Sequence, residues 1–202
     1  MYEFPGPEKY PLNEVFKNIY GRRSVRAYRQ DAVPDDIIKE LIRAGSFAPS
    51  AMNEQPWKFV VIKDKALMRR LSDKAKELWI DQSRSSNNPE ILRLANMLSN
   101  SDFNIFYNAP VLVMIFARPN AFFSQIDCAL AAQNMMLAAK SLGIGSCWIG
   151  LAMTLDKVRK VLSEIGVPAD HRLMASLIFG YPEKMEEEGP DGCKDIILKW
   201  IS

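Results

Sequence analysis

Gly143-Ile144-Gly145-Ser146-Cys147-Trp148-Ile149-Gly150 is the stretch on which the fold turns. Its glycines suggest a phosphate-cradling loop of the dinucleotide-binding kind. Such a loop follows a strand and opens a helix. This one follows a helix. Phe122–Leu142 carries Ala129, Leu130, Ala131, Ala132, Met135, Met136, Leu137, Ala138 and Ala139. It is apolar on most sides, with Asp127, Gln133 and Asn134 as polar exceptions, so it is expected to be central and buried. Met135 and Met136 read as core filler. Gly143 is then the helix C-cap, and the residues after it form a short strand with closely approached backbone.

Working outward, Pro110–Ala117 is an unbroken apolar run, as in a buried strand. Lys58–Ile62 and Arg172–Phe179 also read as strands. Helical spacing is found over Leu12–Tyr20, with Gly21 as a candidate C-cap, and from Pro34 to about Gly45. A helix capped by Asp64 is expected to reach about Ile80. Another starts at Pro89, and an amphipathic one, capped by Thr154, spans Thr154–Ile165. Asp81–Asn88 is polar and expected to be mobile, which makes residues 80–105 a candidate lid. Residues 100–108 are ambiguous, and Asp195–Ile201 is a final strand or arm. Simple βαβ alternation is absent. The order of elements favours an α+β sandwich with a mixed or largely antiparallel sheet around Phe122–Leu142, all in one domain over residues 1–202.

Composition narrows the function. The 202-residue chain is 48% apolar and has a formal net charge of only +2. Balanced charge argues against a nucleic-acid partner. No apolar run is long enough to span a bilayer, and the N-terminus does not resemble a signal peptide. Three cysteines, Cys128, Cys147 and Cys193, lack disulfide or metal-knuckle spacing. With His171 as the single histidine, a zinc site or a Ser-His-Asp triad is hard to build. The expected setting is cytoplasmic and reduced, with a redox cofactor supplying the chemistry.

Two stretches offer a site. Gly21-Arg22-Arg23-Ser24-Val25-Arg26-Ala27-Tyr28-Arg29 packs four arginines into eight residues. If the segment is extended, Arg22, Ser24 and Arg26 share one face and Arg23 and Val25 the other. Two guanidiniums and a hydroxyl suit a phosphate, although charge alone also fits a solvated turn at a helix end. Phe47–Trp57 contains Pro49, Ser50, Ala51, Asn53 and Gln55, and its amides suit the edge of a heterocycle. It also fits an ordinary helix-to-strand loop. Trp79, Phe103, Phe106, Tyr107, Phe122 and Phe123 fit an aromatic wall, and fit core better.

These stretches, with Gly180-Tyr181-Pro182, resemble the nitroreductase family of FMN-dependent oxidoreductases in order and spacing over roughly residues 12–200. The resemblance implies a three-layer α+β sandwich, an obligate homodimer, and one FMN in each of two sites at the subunit interface. It makes Arg22 and Ser24 phosphate ligands, puts Arg26 at the pyrimidine end of the ring, and adds Arg23 as a contact. Pro49, Ser50, Ala51, Asn53 and Gln55 would come from the partner subunit. Trp148, Ile149 and Gly150 would lay backbone amides near N5 and O4. Lys194 would be a basic phosphate ligand, beside Cys193 where a second basic residue is expected, and Asn104 would be a polar contact. Cys147 reads as a packed small residue rather than a catalytic thiol. The implied activity is ping-pong transfer from NADH or NADPH to a small electron-poor acceptor such as a nitroarene, quinone or flavin. Dehalogenases and ene-reductases also occur in the family, and an FMN store or redox sensor without turnover is the alternative class.

Overall fold

Val111–Ala117 (β2) is the central strand of the structure, a computed structural model that describes residues 13–119, 123–184 and 197–201. All seven of its residues are buried, as a run without polar alternation requires. The sheet also contains Lys58–Ile62 (β1), Gly145–Trp148 (β3) and Arg172–Gly180 (β4), in the order β1-β2-β4-β3. Every pairing is antiparallel, which settles the expected mixed or antiparallel sheet in favour of the latter. A bulge at Met174 shifts the β2–β4 register between Ile115 and Phe116.

Period-two alternation along β2 divides the core. Leu112, Met114 and Phe116 pack with Met68, Leu71 and Ala75 of Lys65–Ser83 (α3, the third helix in chain order). Val111, Val113, Ile115 and Ala117 pack with Cys128, Ala131, Ala132 and Met135 of Ser124–Ser141 (α5). Helices on both faces make a three-layer α+β sandwich. Each fully buried Leu, Met or Phe contributes about 1.5–3 kcal/mol to such a core. Asp35–Ser46 (α2) lies against α5, with Asn134 Nδ2 donating to Ala44 O at 3.3 Å. Gly45 permits the approach, because a Cβ there would sit 2.8 Å from Met135 Cγ.

Glu14–Gly21 (α1) ends differently from the expectation. Gly21 is its last helical residue, and Arg22 leaves in an extended conformation (φ −67°, ψ 134°). α3 runs past Ile80 to Ser83, so Asp81, Gln82 and Ser83 are helical. Asn88 then caps Pro89–Leu98 (α4) by accepting from Glu90 N–H. Leu98, Ile105 and Phe106 are buried in the core shared with α3. Lys76 Nζ donates to Phe103 O at 2.8 Å and Ser72 Oγ accepts from Ile105 N–H at 3.0 Å. The later part of the 80–105 segment is therefore tied to the core.

The expected helix Thr154–Ile165 is two pieces. Gly150–Lys157 is 3₁₀, Val158 breaks the run, and Arg159–Glu164 (α6) is short. Thr154 does not cap an α-helix, because its hydroxyl turns back to Leu151 O and Ala75 O. Asp156 accepts from Leu173 N–H at 2.8 Å and so is held to β4. Residues 197–201 form no strand, and Asp195 lies outside the described residues. Among the described residues no helix is long and apolar enough to cross a membrane, and no cluster suits a metal.

Gly180 is where the edge of the sheet meets the rest of the chain. A Cβ there would lie 2.6 Å from Pro110 Cδ and 2.8 Å from Tyr28 Cδ1. Gly180→Ala is expected to destabilise the protein by about 1–3 kcal/mol through overpacking. For a chain of this size that lowers the melting temperature by roughly 2–4 °C per kcal/mol. Thermal and urea unfolding check it, and an unchanged midpoint in both would contradict the close contact.

Candidate functional site at the β3 edge

β3 is an edge strand, and the arginine segment covers it. Ser24 and Ser146 form a parallel bridge, with Val25 N–H donating to Ser146 O at 3.0 Å. Further along, Arg29 N–H donates to Tyr181 O, Glu183 N–H donates to Ala27 O, and Tyr28 bridges Pro182. The segment is extended, as expected. Val25 packs on the core while Ser24 and Arg26 are exposed. Tyr28 is buried and its hydroxyl donates to Val25 O at 2.7 Å. Burial pushes its phenol pKa up, so it remains a donor.

Two cavities flank this segment. The first, about 380 Å³, is lined by Arg22, Arg23, Ser24, Arg26, Lys140 and Lys184, with Gly145, Ser146 and Glu183 among the remaining walls. Five cations thus face one carboxylate. The second, about 370 Å³, is lined by Ile105, Tyr107, Cys147, Trp148, Ile149, Gly150 and Leu151, and again by Arg26. Arg26 lines both, and its guanidinium lies 5.9 Å from the centroid of the Tyr107 ring. The pair combines a basic recess with a mostly apolar one, joined at a permanent charge.

Tyr107 is held by a strained turn. Tyr107 and Asn108 have φ of +52° and +53°, a region that costs a non-glycine residue about 1–2 kcal/mol. Asn104 offsets part of this. Its Oδ1 accepts from Phe106 N–H, its carbonyl from Tyr107 N–H, and its Nδ2 donates to Asn108 Oδ1. Asn104 lines neither cavity, and its amide is used within the turn. The expected aromatic wall divides in the same way. Phe106 is core, Trp79 and Phe103 are half-buried against it, Tyr107 faces the cavity, and Phe123 is exposed. Phe122 lies outside the described residues.

Trp148, Ile149 and Gly150 border the second cavity, but their amides are not equivalent. Ile149 N–H donates to Ser176 O at 2.8 Å and is engaged in the sheet. Gly150 is exposed and begins a 3₁₀ helix, whose first N–H groups have no partner within the helix. Cys147 is buried. Burial pushes its thiol pKa up, and Arg26, a hydrogen bond from Ser24 and Arg22 offset this only in part.

Pro49, Ser50, Ala51, Asn53 and Gln55 line neither cavity of the same chain. Their loop is built with care nonetheless. Met52, Asn53 and Gln55 have φ of +51°, +57° and +46°. Ser50 Oγ accepts from Gln55 N–H, Gln55 Nε2 donates to Asn53 Oδ1 at 2.8 Å, and buried Asp127 accepts from Ala51 N–H at 3.2 Å. Strain of this kind gathers at functional sites. Lys194 and Cys193 lie outside the described residues. Sequence reasoning missed Lys140 and Lys184, and weighed Tyr107 towards the core although it lines the second cavity. Lys140 lies in the last turn of α5, just before the glycine motif, which was the available signal.

Comparisons with known proteins show the family. The model of the nitroreductase family matches residues 19–181. An Archaeoglobus fulgidus protein whose name proposes an NADH dehydrogenase/NAD(P)H nitroreductase is 30% identical over 85% of this chain and 87% of its own. An iodotyrosine deiodinase of Thermotoga neapolitana is 28% identical over 84% and 89%. A nitroreductase of Bacteroides fragilis, solved with bound FMN, superposes with a TM-score of 0.81 at 30% identity, covering 95% of this chain and 100% of that one. The match runs through the arginine segment, the antiparallel sheet and the glycine-bracketed β3, and the chain belongs to the nitroreductase family.

Proposed function

We propose that the chain is an FMN-dependent oxidoreductase that passes electrons from NADH or NADPH to a small electron-poor acceptor. The observation that carries this reading is the basic cavity joined to an apolar one at Arg26. FMN has the matching form, a phosphate at one end and a planar ring at the other. Bound there, FMN would supply hydride transfer through its N5 in a ping-pong cycle.

The chain's own residues divide the work. Arg22 and Ser24 hold the phosphate, the guanidinium as a planar fork and the hydroxyl as a donor. Arg23 borders the same recess. Arg26, fixed between them and Tyr107, stabilises negative charge at the pyrimidine end of the ring. Trp148, Ile149 and Gly150 form the ledge on which the ring rests, with Gly150 exposing backbone. Asn104 acts through the turn that presents Tyr107. Among the described residues no histidine or carboxylate lines the second cavity, and solvent is the proposed source of protons. α4, with Leu92 and Met97 exposed, is the candidate lid.

A homodimer completes the site. α1 has no buried residue, and Val15 is 63% exposed. Phe123, Ile126 and Leu130 continue an exposed apolar stripe along α5, with Ile126 at 59%. Asp127 in that stripe holds the strained loop through Ala51. A second copy covering the stripe would bring Pro49, Ser50, Ala51, Asn53 and Gln55 to its partner's cavity. Lys194 is proposed as a further basic ligand.

Purified protein is expected to be yellow and to bleach on anaerobic NADH or NADPH. Arg26→Ala is expected to lose FMN or to be reduced at least about tenfold more slowly. Unchanged FMN affinity and reduction rate would sink the role of Arg26. Yellow protein that neither nicotinamide bleaches would favour an FMN store or sensor. Deiodinase relatives make halophenols a necessary member of the acceptor panel, beside nitroarenes, quinones and free flavins.

Ile126→Glu is expected to yield monomers with weakened FMN binding, checked by sedimentation and flavin release. Dimers that keep FMN would remove α5 from the interface.

Cys147 stays a neutral thiol near pH 8 because its pKa is raised. In a Cys128→Ala, Cys193→Ser background, a disulfide reagent should label it at least about tenfold more slowly than in unfolded protein. Fast labelling of the folded protein would contradict this.

A further inference from the structure

Lys140 occupies the last turn of α5, half-buried, and lines the same cavity as Arg22 and Ser24. A lysine at a helix C-terminus is usually read as a partner for the terminal carbonyls. Here three of those carbonyls are already used. Ala138 O and Ala139 O accept from Leu142 N–H, Ala139 O also from Ile144 N–H, and Lys140 O from Gly143 N–H. The ammonium itself has no hydrogen bond or ion pair with any described residue.

Gly21 confines the lysine. Its φ is not in the left-handed region, so backbone conformation does not demand glycine there. Space favours it: a Cβ on Gly21 would lie 3.3 Å from Lys140 Cε and 3.8 Å from Nζ, so the lysine stem would have to give way by a few tenths of an ångström. The missing side chain at the end of α1 makes room for the lysine stem and keeps the amine at the cavity wall. Arg22 stands next to that glycine, so the two cations converge from the ends of two helices. A phosphate monoester carries about 1.5–2 negative charges at neutral pH, more than one guanidinium neutralises.

We infer that Lys140 is a further phosphate anchor of the cofactor site, beside Arg22 and Ser24, and that it sets the preference for FMN over the same flavin without its phosphate. This rests on the proposed flavin site. Arginine supplies the directional fork, and lysine a compact charge behind it.

The test compares dissociation constants of the full-length protein for FMN and riboflavin by flavin fluorescence. Lys140→Met keeps the stem and removes the charge. It is expected to weaken FMN about tenfold or more, the size of a lost charged hydrogen bond, while riboflavin changes by less than about twofold on the same grounds. Lys140→Arg should restore most of the preference. Gly21→Leu, which crowds the lysine stem, should lose it with Lys140 intact. The salt dependence of FMN binding should be flatter in Lys140→Met. A purely structural role would weaken both flavins equally, and that result overturns the proposal, as does an unchanged FMN-to-riboflavin ratio. Wild-type protein that binds neither flavin overturns the flavin reading itself, a distinct outcome because it appears before any substitution is made.

Discussion

One backbone hydrogen bond, Val25 N–H to Ser146 O, fixes what the arginine segment presents. Alone such a bond contributes about 1 kcal/mol. Its consequence is register. With Ser24 opposite Ser146, Val25 faces the core and Ser24 and Arg26 face out. A slip of one residue would reverse every side chain, burying a guanidinium and exposing the valine. The packing of half-buried Val25 and the burial of Tyr28 therefore defend the pairing more strongly than the bond itself. The same pairing covers the edge of β3, which would otherwise offer unpaired backbone groups.

Close approach follows from this register. Gly145 faces Val25, and a Cβ would lie 3.0 Å from it. Gly180 faces Tyr28 and Pro110. The segment can lie this close only where the sheet lacks side chains. Its neighbours inherit the geometry. Tyr28, pressed on Gly180, returns its hydroxyl to Val25 O, and so ties the residue before Arg26 to the core. The cations then converge on a recess with a single carboxylate. Their mutual repulsion is tolerated because the side chains are only half-buried and water screens them. A bound dianion would replace that water.

Much of this was legible in residue order. A glycine-bracketed stretch after a helix, rather than before one, excluded a dinucleotide fold. Alternation in the arginine segment separated Val25, packed on the core, from exposed Ser24 and Arg26, but it set Arg23 on the opposite face, whereas Arg23 borders the same cavity as Arg22 and Ser24. The helix from Thr154 was not legible: its apolar spacing is helical, but Asp156 is drawn to Leu173 N–H, a partner remote in sequence. Gly21 was misread for a related reason. A glycine after a helix suggests a left-handed cap, whereas here it makes room for a lysine more than a hundred positions away. The role of Asn104 depended on two left-handed residues at 107 and 108 that no periodicity reveals. Local rules found the elements, and long-range contacts decided the exceptions.

The loop at 49–55 poses the remaining physical question, since three left-handed non-glycine residues are costly and one chain gains no cavity wall from them. Asp127 makes the cost intelligible. A carboxylate buried in α5 accepts from Ala51 N–H, holding the loop beside Ile126 and Leu130, whose apolar side chains are exposed. Solvation of that stripe is unfavourable by about 1.5–3 kcal/mol for each large side chain that a partner could bury. Burial of several such side chains exceeds the strain of the loop. Under the proposed dimer the two features are one device: the stripe supplies the association energy, and the loop, fixed to the stripe by Asp127, delivers Asn53 and Gln55 to a ring that its own chain does not hold.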